Sequence, residues 1–125
     1  MTAWDGLNRR RFPRVRYPCL ITLRKPEDSL LTHTENVGVG GVCIIIKKNI
    51  KRFTVLDVEI DLMDFQKHIK CQGKVVWSIR RREDEGIKPL FYDIGIEFID
   101  LDPKDLTRLE GIVQYLAKKK PESIV

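Results

Sequence analysis

The sequence predicts a mainly β domain in which six strands close into an antiparallel barrel, one helix follows them, and a flexible basic arm precedes them. Three observations predict it. Two neighbouring segments alternate apolar and charged residues with a period of two. A third alternating segment follows, and an amphipathic helix with a polar cap comes after it. The expected division is an arginine-rich arm over residues 1–15 and a barrel with its helix over residues 16–120. At 125 residues the chain is the size of one domain, and no repeat or linker marks a second.

The arm is polar, aperiodic and carries Pro13. A first strand is expected over Arg16–Leu23, with Pro18 tolerated at its start or on an edge. Lys25–Ser29 reads as a turn by composition, followed by strands near Leu30–Glu35 and Val42–Lys47. Between them Asn36–Gly41 is too rich in glycine for regular structure, and a tight turn needing positive φ is its simplest account. Leu56, Val58, Ile60 and Leu62 then alternate with Asp57, Glu59 and Asp61. Ile69, Cys71, Gly73, Val75 and Trp77 alternate with His68, Lys70, Gln72 and Lys74, which places Trp77 at the end of an inward row. The short connection near Asp64 and Phe65 makes the pair a hairpin whose outer face sets carboxylates against lysines. Arg80–Pro89 is a charged, self-compensated loop, and Tyr92, Ile94, Ile96 and Phe98 form the last inward row. Asp102 and Pro103 open the helix, whose apolar face carries Leu106, Leu109, Ile112, Val113 and Leu116.

Composition narrows the function classes. Apolar residues at 42% and charged residues at 33% describe a globular chain rather than a disordered one. The longest apolar run, Val42–Ile46, is far short of the roughly 20 residues a membrane helix needs, and Met1–Asn8 has no apolar leader. Cys19, Cys43 and Cys71 are scattered, which suits reduced thiols in a cytoplasmic protein better than disulfides or a metal site. His33 and His68 lie on expected strands without a partner at a catalytic spacing, and Asp57, Glu59 and Asp61 have the spacing of a solvated strand face rather than a magnesium site. No enzyme motif appears, so neither catalytic residues nor a cofactor or metal is expected.

Charge is the most telling feature. Five arginines fall within residues 9–16, while 18 basic and 18 acidic residues balance elsewhere, so the whole formal excess of +5 sits in one short segment. A long nucleic acid is usually met by a broad basic face. A concentrated cluster suits a compact anion instead.

Arg10-Arg11-Phe12-Pro13-Arg14 has an R-x-x-x-R spacing, and Asn36-Val37-Gly38-Val39-Gly40-Gly41 follows about two strands later. With these motifs the sequence resembles the bacterial PilZ domain, whose signature is R-x-x-x-R followed by [DN]-x-S-x-x-G. Arg10 and Arg14 match the first motif, and Asn36 and Gly41 the ends of the second. The resemblance continues through Gly73–Trp77, Tyr92–Phe98 and the terminal helix, covering residues 8–117. It implies a PilZ-like β-barrel that binds the second messenger cyclic di-GMP and signals to an effector protein. It further implies that Arg10 and Arg14 grip the ligand, Asn36 reaches a guanine edge, and Gly41 admits the backbone closely. Arginine's planar fork suits both partners, since it pairs with phosphate oxygens or with guanine O6 and N7. The position before the motif, Arg9, is associated in the family with holding a stacked pair of messengers. Gly38 stands where the signature has serine, so a hydroxyl contact worth about 1.5–3 kcal/mol is missing unless water replaces it.

Two other readings stay open. A PilZ-like adaptor that works by protein contact without the nucleotide is favoured by Gly38. A nucleic-acid-binding barrel using Arg9–Arg16 as a basic arm ranks behind it, because the chain has only ten aromatic residues for stacking bases, several of them core-facing.

Overall fold

The computed structural model describes residues 14–81 and 91–119. Seven strands and one helix lie among them: β1 (Arg14–Val15), β2 (Leu20–Lys25), β3 (Asp28–Gly38), β4 (Gly41–Ile46), β5 (Val55–Asp61), β6 (Ile69–Arg80), β7 (Tyr92–Phe98) and α1 (Pro103–Lys119). All pairings are antiparallel, in the order β1-β3-β2-β5-β6-β7-β4, and a further β3–β4 pairing joins the ends. The result is a closed six-stranded barrel of β2 to β7, as the alternation predicted, with β1 as a short extra strand on β3. Each strand from β2 to β7 thus has a neighbour on both sides.

The alternation works as expected where strands are regular. In β5 the buried residues Leu56, Val58 and Ile60 face the interior, and in β7 Ile94 and Ile96 are fully buried. Val37, Val42, Ile44 and Ile21 complete the middle of the core. The helix is capped as predicted: Asp102 Oδ1 accepts from Lys104 N at 2.8 Å. Its Leu109 is fully buried and Val113 nearly so, and α1 packs against β1 and β3. Burying one such leucine stabilises the fold by about 1.5–3 kcal/mol. Leu106, expected on the buried face, is 37% exposed, because the stripe that meets the barrel runs through Leu109, Ile112 and Val113.

Several local expectations are corrected. Arg16–Cys19 is not strand; the sheet starts with Arg14–Val15, breaks over four residues, and resumes at Leu20. The sheet thus begins two residues before the boundary expected at residue 16. Asn36–Gly41 is largely regular: β3 runs through Gly38, β4 starts at Gly41, and only Val39 and Gly40 turn. Sheet pairing on both sides supplies the hydrogen bonds that glycine-rich composition would otherwise leave to a loop. The non-glycine residues with left-handed φ lie elsewhere, at Phe53, Met63 and Phe65.

The hairpin face also differs. Glu59 stands opposite Lys70 in the ladder, yet its carboxylate bonds Arg24 Nη1 at 2.9 Å and His68 Nδ1 at 2.7 Å. His68 lies just before β6, not on it, and its Nε2 is 3.4 Å from Asp61. The histidine thus has carboxylate partners that only folding brings near. Most of the Arg80–Pro89 loop is outside the described residues; Arg81, at its start, approaches Asp93 of β7 at 3.7 Å.

Candidate ligand-binding face

Strand register joins the two sequence motifs. Arg14 pairs with Gly38 and Val15 with Val37. Val15 and Val37 are both fully buried, so Gly38, the ladder partner of Arg14, has the opposite, outward parity. Arg9 and Arg10 lie outside the described residues, as do Trp4, Phe12 and Pro13.

Asn36 shares that outward parity and is only 7% exposed. Across the barrel wall it pairs with Cys43, Cys43 with Gly95, and Gly95 with Trp77. The flanking residues Val42, Ile44, Ile94 and Ile96 all point into the core, which assigns this row to the outside. Trp77 was expected inside. A register shift between Val75 and Trp77 leaves Val76 as an extra residue and turns Trp77 to the other face. The Nε1–Cε2–Cζ2 edge of its indole occupies the space where Gly95 would carry a Cβ. A glycine is therefore what lets the tryptophan lie against the wall. The outer surface thus holds an aromatic ring, a small residue and an amide in line with the Arg14–Gly38 pair.

Gly41 has a different constraint from the one expected. A Cβ there would run into the Ile96 carbonyl oxygen, and Phe98 N donates to Gly40 O at 2.9 Å. The close approach that Gly41 permits is to β7 of its own barrel.

The break between β1 and β2 is held by a residue that sequence reading passed over. Thr34, 2% exposed, donates from Oγ1 to Tyr17 O at 2.7 Å and accepts from Cys19 N at 3.1 Å. Its own N–H donates to Cys19 O at 2.9 Å. Tyr17 adds a hydroxyl bond to Leu62 O at 2.6 Å. Together these fix the segment leading out of Arg14. Nothing in local sequence marks Thr34, because its partners are 15 and 17 residues away.

An open groove lies on the helix side, lined by Tyr17, Arg108, Ile112 and Tyr115 among others. Its cation is already engaged: Arg108 bonds Asp64 at 3.1 Å, approaches Asp105 at 3.4 Å and donates to Lys67 O at 2.8 Å. That makes it a structural tie between α1 and the β5–β6 turn rather than an anion site. Among the described residues no group of three or more His, Cys, Asp or Glu is placed to hold a metal ion. No helix there is long and apolar enough to cross a membrane.

Comparison with known proteins agrees with this geometry. No curated protein matches the sequence. Among solved structures, the fold is similar to the PilZ domain of YcgR from Escherichia coli with c-di-GMP, at TM-score 0.70 and 14% identity, covering 91% of this chain and 95% of that one. The K. pneumonia MrkH–c-di-GMP complex gives TM-score 0.76 and 20% identity over 93% of this chain and 56% of that one. The Bacillus subtilis inhibitor of motility MotI gives 0.75 and 14%, over 91% and 53%. The chain thus spans about half the length of MrkH and of MotI, and nearly all of the isolated YcgR domain. The sequence model of the PilZ domain matches residues 8–116, and the chain belongs to that family.

Proposed function

We propose that this protein is a cyclic di-GMP receptor that binds the nucleotide on the outer barrel face and works as a ligand-triggered switch for a partner protein. The single observation that carries the reading is the Arg14–Gly38 pairing, which puts the end of the arginine motif beside the glycine motif. Arg9, Arg10 and Arg14 supply charge-assisted, planar contacts to phosphates and guanines. Asn36 reads a base edge, Gly38 keeps the wall low, Gly41 lets β4 lie tight against β7 beneath them, and Trp77 offers a ring for base contact. Ordering of the arm over the nucleotide then creates the surface that the partner reads. The function is recognition without covalent chemistry, in the cytoplasm of a bacterium. Structural neighbours bound to c-di-GMP support the ligand class.

Calorimetric titration with cyclic di-GMP near physiological salt, beside an Arg10→Ala/Arg14→Ala variant, tests this. Saturable binding that the double substitution abolishes is expected, and its stoichiometry reports whether Arg9 accompanies one messenger or a pair. Absence of heat with folded protein overturns the receptor reading in favour of a nucleotide-independent adaptor, which the missing hydroxyl at Gly38 favours.

A further inference from the structure

We propose that Asp93, with Arg81 beside it, is the base-selecting pair of the outer face and makes the site prefer guanine to adenine. This rests on the cyclic dinucleotide reading above. Asp93 lies on β7 two residues from Gly95, with the same outward parity, so it stands about 6.6 Å along the strand from the glycine under Trp77. Its ladder partner is Ile79, which is 57% exposed and follows Trp77 by two residues on β6. Arg81 continues that row. A flat apolar strip of Trp77 and Ile79 is therefore flanked on one side by a carboxylate and ended by a guanidinium.

The two charged groups are close without being consumed by one another. Arg81 Nε and Asp93 Oδ1 are 3.7 Å apart, beyond hydrogen-bond length, and their side chains are 45% and 35% exposed. Burial raises the Asp93 carboxyl above the ordinary aspartate range; Arg81 opposes the rise and the Glu35 charge adds to it. Among the described residues, Arg81 is the cation that faces this carboxylate, at a distance beyond a hydrogen bond. Guanine offers two adjacent N–H donors on its Watson–Crick edge, which a carboxylate accepts in parallel. Adenine presents a ring-nitrogen lone pair there, which repels the carboxylate. Arginine is the side chain that pairs with guanine O6 and N7. Asn36 cannot make the same distinction by charge, since an amide both donates and accepts.

The test measures equilibrium binding of cyclic di-GMP, cyclic di-AMP and cyclic di-inosine monophosphate to the full chain. Wild type, Asp93→Asn and Arg10→Ala/Arg14→Ala are compared, with thermal melting of each. Wild type binds cyclic di-GMP at least about tenfold more tightly than either analogue, the inosine form having lost the 2-amino donor. Asp93→Asn loses about ten- to a hundredfold for cyclic di-GMP, less for the inosine form, which keeps its N1–H donor, and little for cyclic di-AMP, so the preference collapses. The double arginine variant loses all three. An unchanged preference in Asp93→Asn, or an equal loss for all three ligands, overturns the proposal while leaving the receptor reading in place. Equal wild-type affinity for the guanine and inosine ligands also overturns it, and needs no variant to fold. Wild type that binds no cyclic dinucleotide removes the receptor reading and this proposal together.

Discussion

Replacing Thr34 with valine keeps the shape of a buried residue and removes three hydrogen bonds, two to the backbone and a weaker one with Cys19 Sγ at 3.4 Å. The Oγ1 of Thr34 donates to Tyr17 O at 2.7 Å and accepts from Cys19 N at 3.1 Å, in a side chain 2% exposed. Valine leaves the buried Cys19 N–H and the half-buried Tyr17 carbonyl without their threonine partner. Each orphaned group costs about 1–3 kcal/mol, and the surviving bond from Thr34 N to Cys19 O keeps the segment near its place. The expected loss is therefore about 2–4 kcal/mol. With an m-value of about 2 kcal/mol/M in urea, the unfolding midpoint falls by about 1–2 M at unchanged slope. Thr32→Val, two residues earlier in β3, serves as control and shifts stability by no more than about 0.5 kcal/mol. A Thr34→Val loss below about 1 kcal/mol would refute the reasoning, because it would mean that water reaches Tyr17–Cys19 and the staple contributes little. The same variant weakens cyclic dinucleotide binding, since the stapled segment follows directly from Arg14.

Two further outcomes follow from the titratable groups. Hydrogen bonds from His68 and then Arg24 hold the Glu59 carboxyl below the usual carboxylate range. A depressed folded pKa stabilises above the unfolded value of about 4.3, and that stabilisation is lost as pH falls through the folded value. Glu59→Gln is thus less stable than wild type at neutral pH, and urea titrations converge once the pH drops below the ordinary glutamate range; a gap that persists in acid contradicts the assignment. Desolvation, with the Asp100 and Asp105 charges adding, pushes the Cys71 thiol up to about 12, and burial likewise raises Cys19. Iodoacetamide near pH 8 therefore leaves both unlabelled in the folded protein and modifies both in urea, read by peptide mass; rapid native labelling of Cys71 would contradict its burial.

The barrel was legible because most of its strands are regular. Leu56 to Leu62 and Tyr92 to Phe98 alternate without interruption, and period two translates directly into a buried face and a wet one. Trp77 was misplaced by the same rule. A bulge inserts one residue without any mark in composition, and every side chain after it changes sides. Thr34, His68 and Arg81 were missed for another reason: each acquires its meaning from a partner on a different element, at separations that local pattern cannot register. At Gly41, sequence spacing pointed outward to a ligand, whereas packing shows what the missing Cβ avoids, the carbonyl of Ile96. Of the motif arginines Arg14 is the one among the described residues, and the register of one short strand sets its place.

The pairing that completes the circle of strands is also its shortest. The register joins β3 to β4 at only Thr34, Asn36 and Val37, against six positions between β4 and β7 and seven between β6 and β7. By ladder length this is the barrel's seam. Asn36 stands on one lip, Cys43 on the other, and Gly95 and Trp77 lie just beyond. A molecule bridging Asn36 and Trp77 would act as a rivet across the seam, and its binding energy would add directly to the cost of opening the barrel.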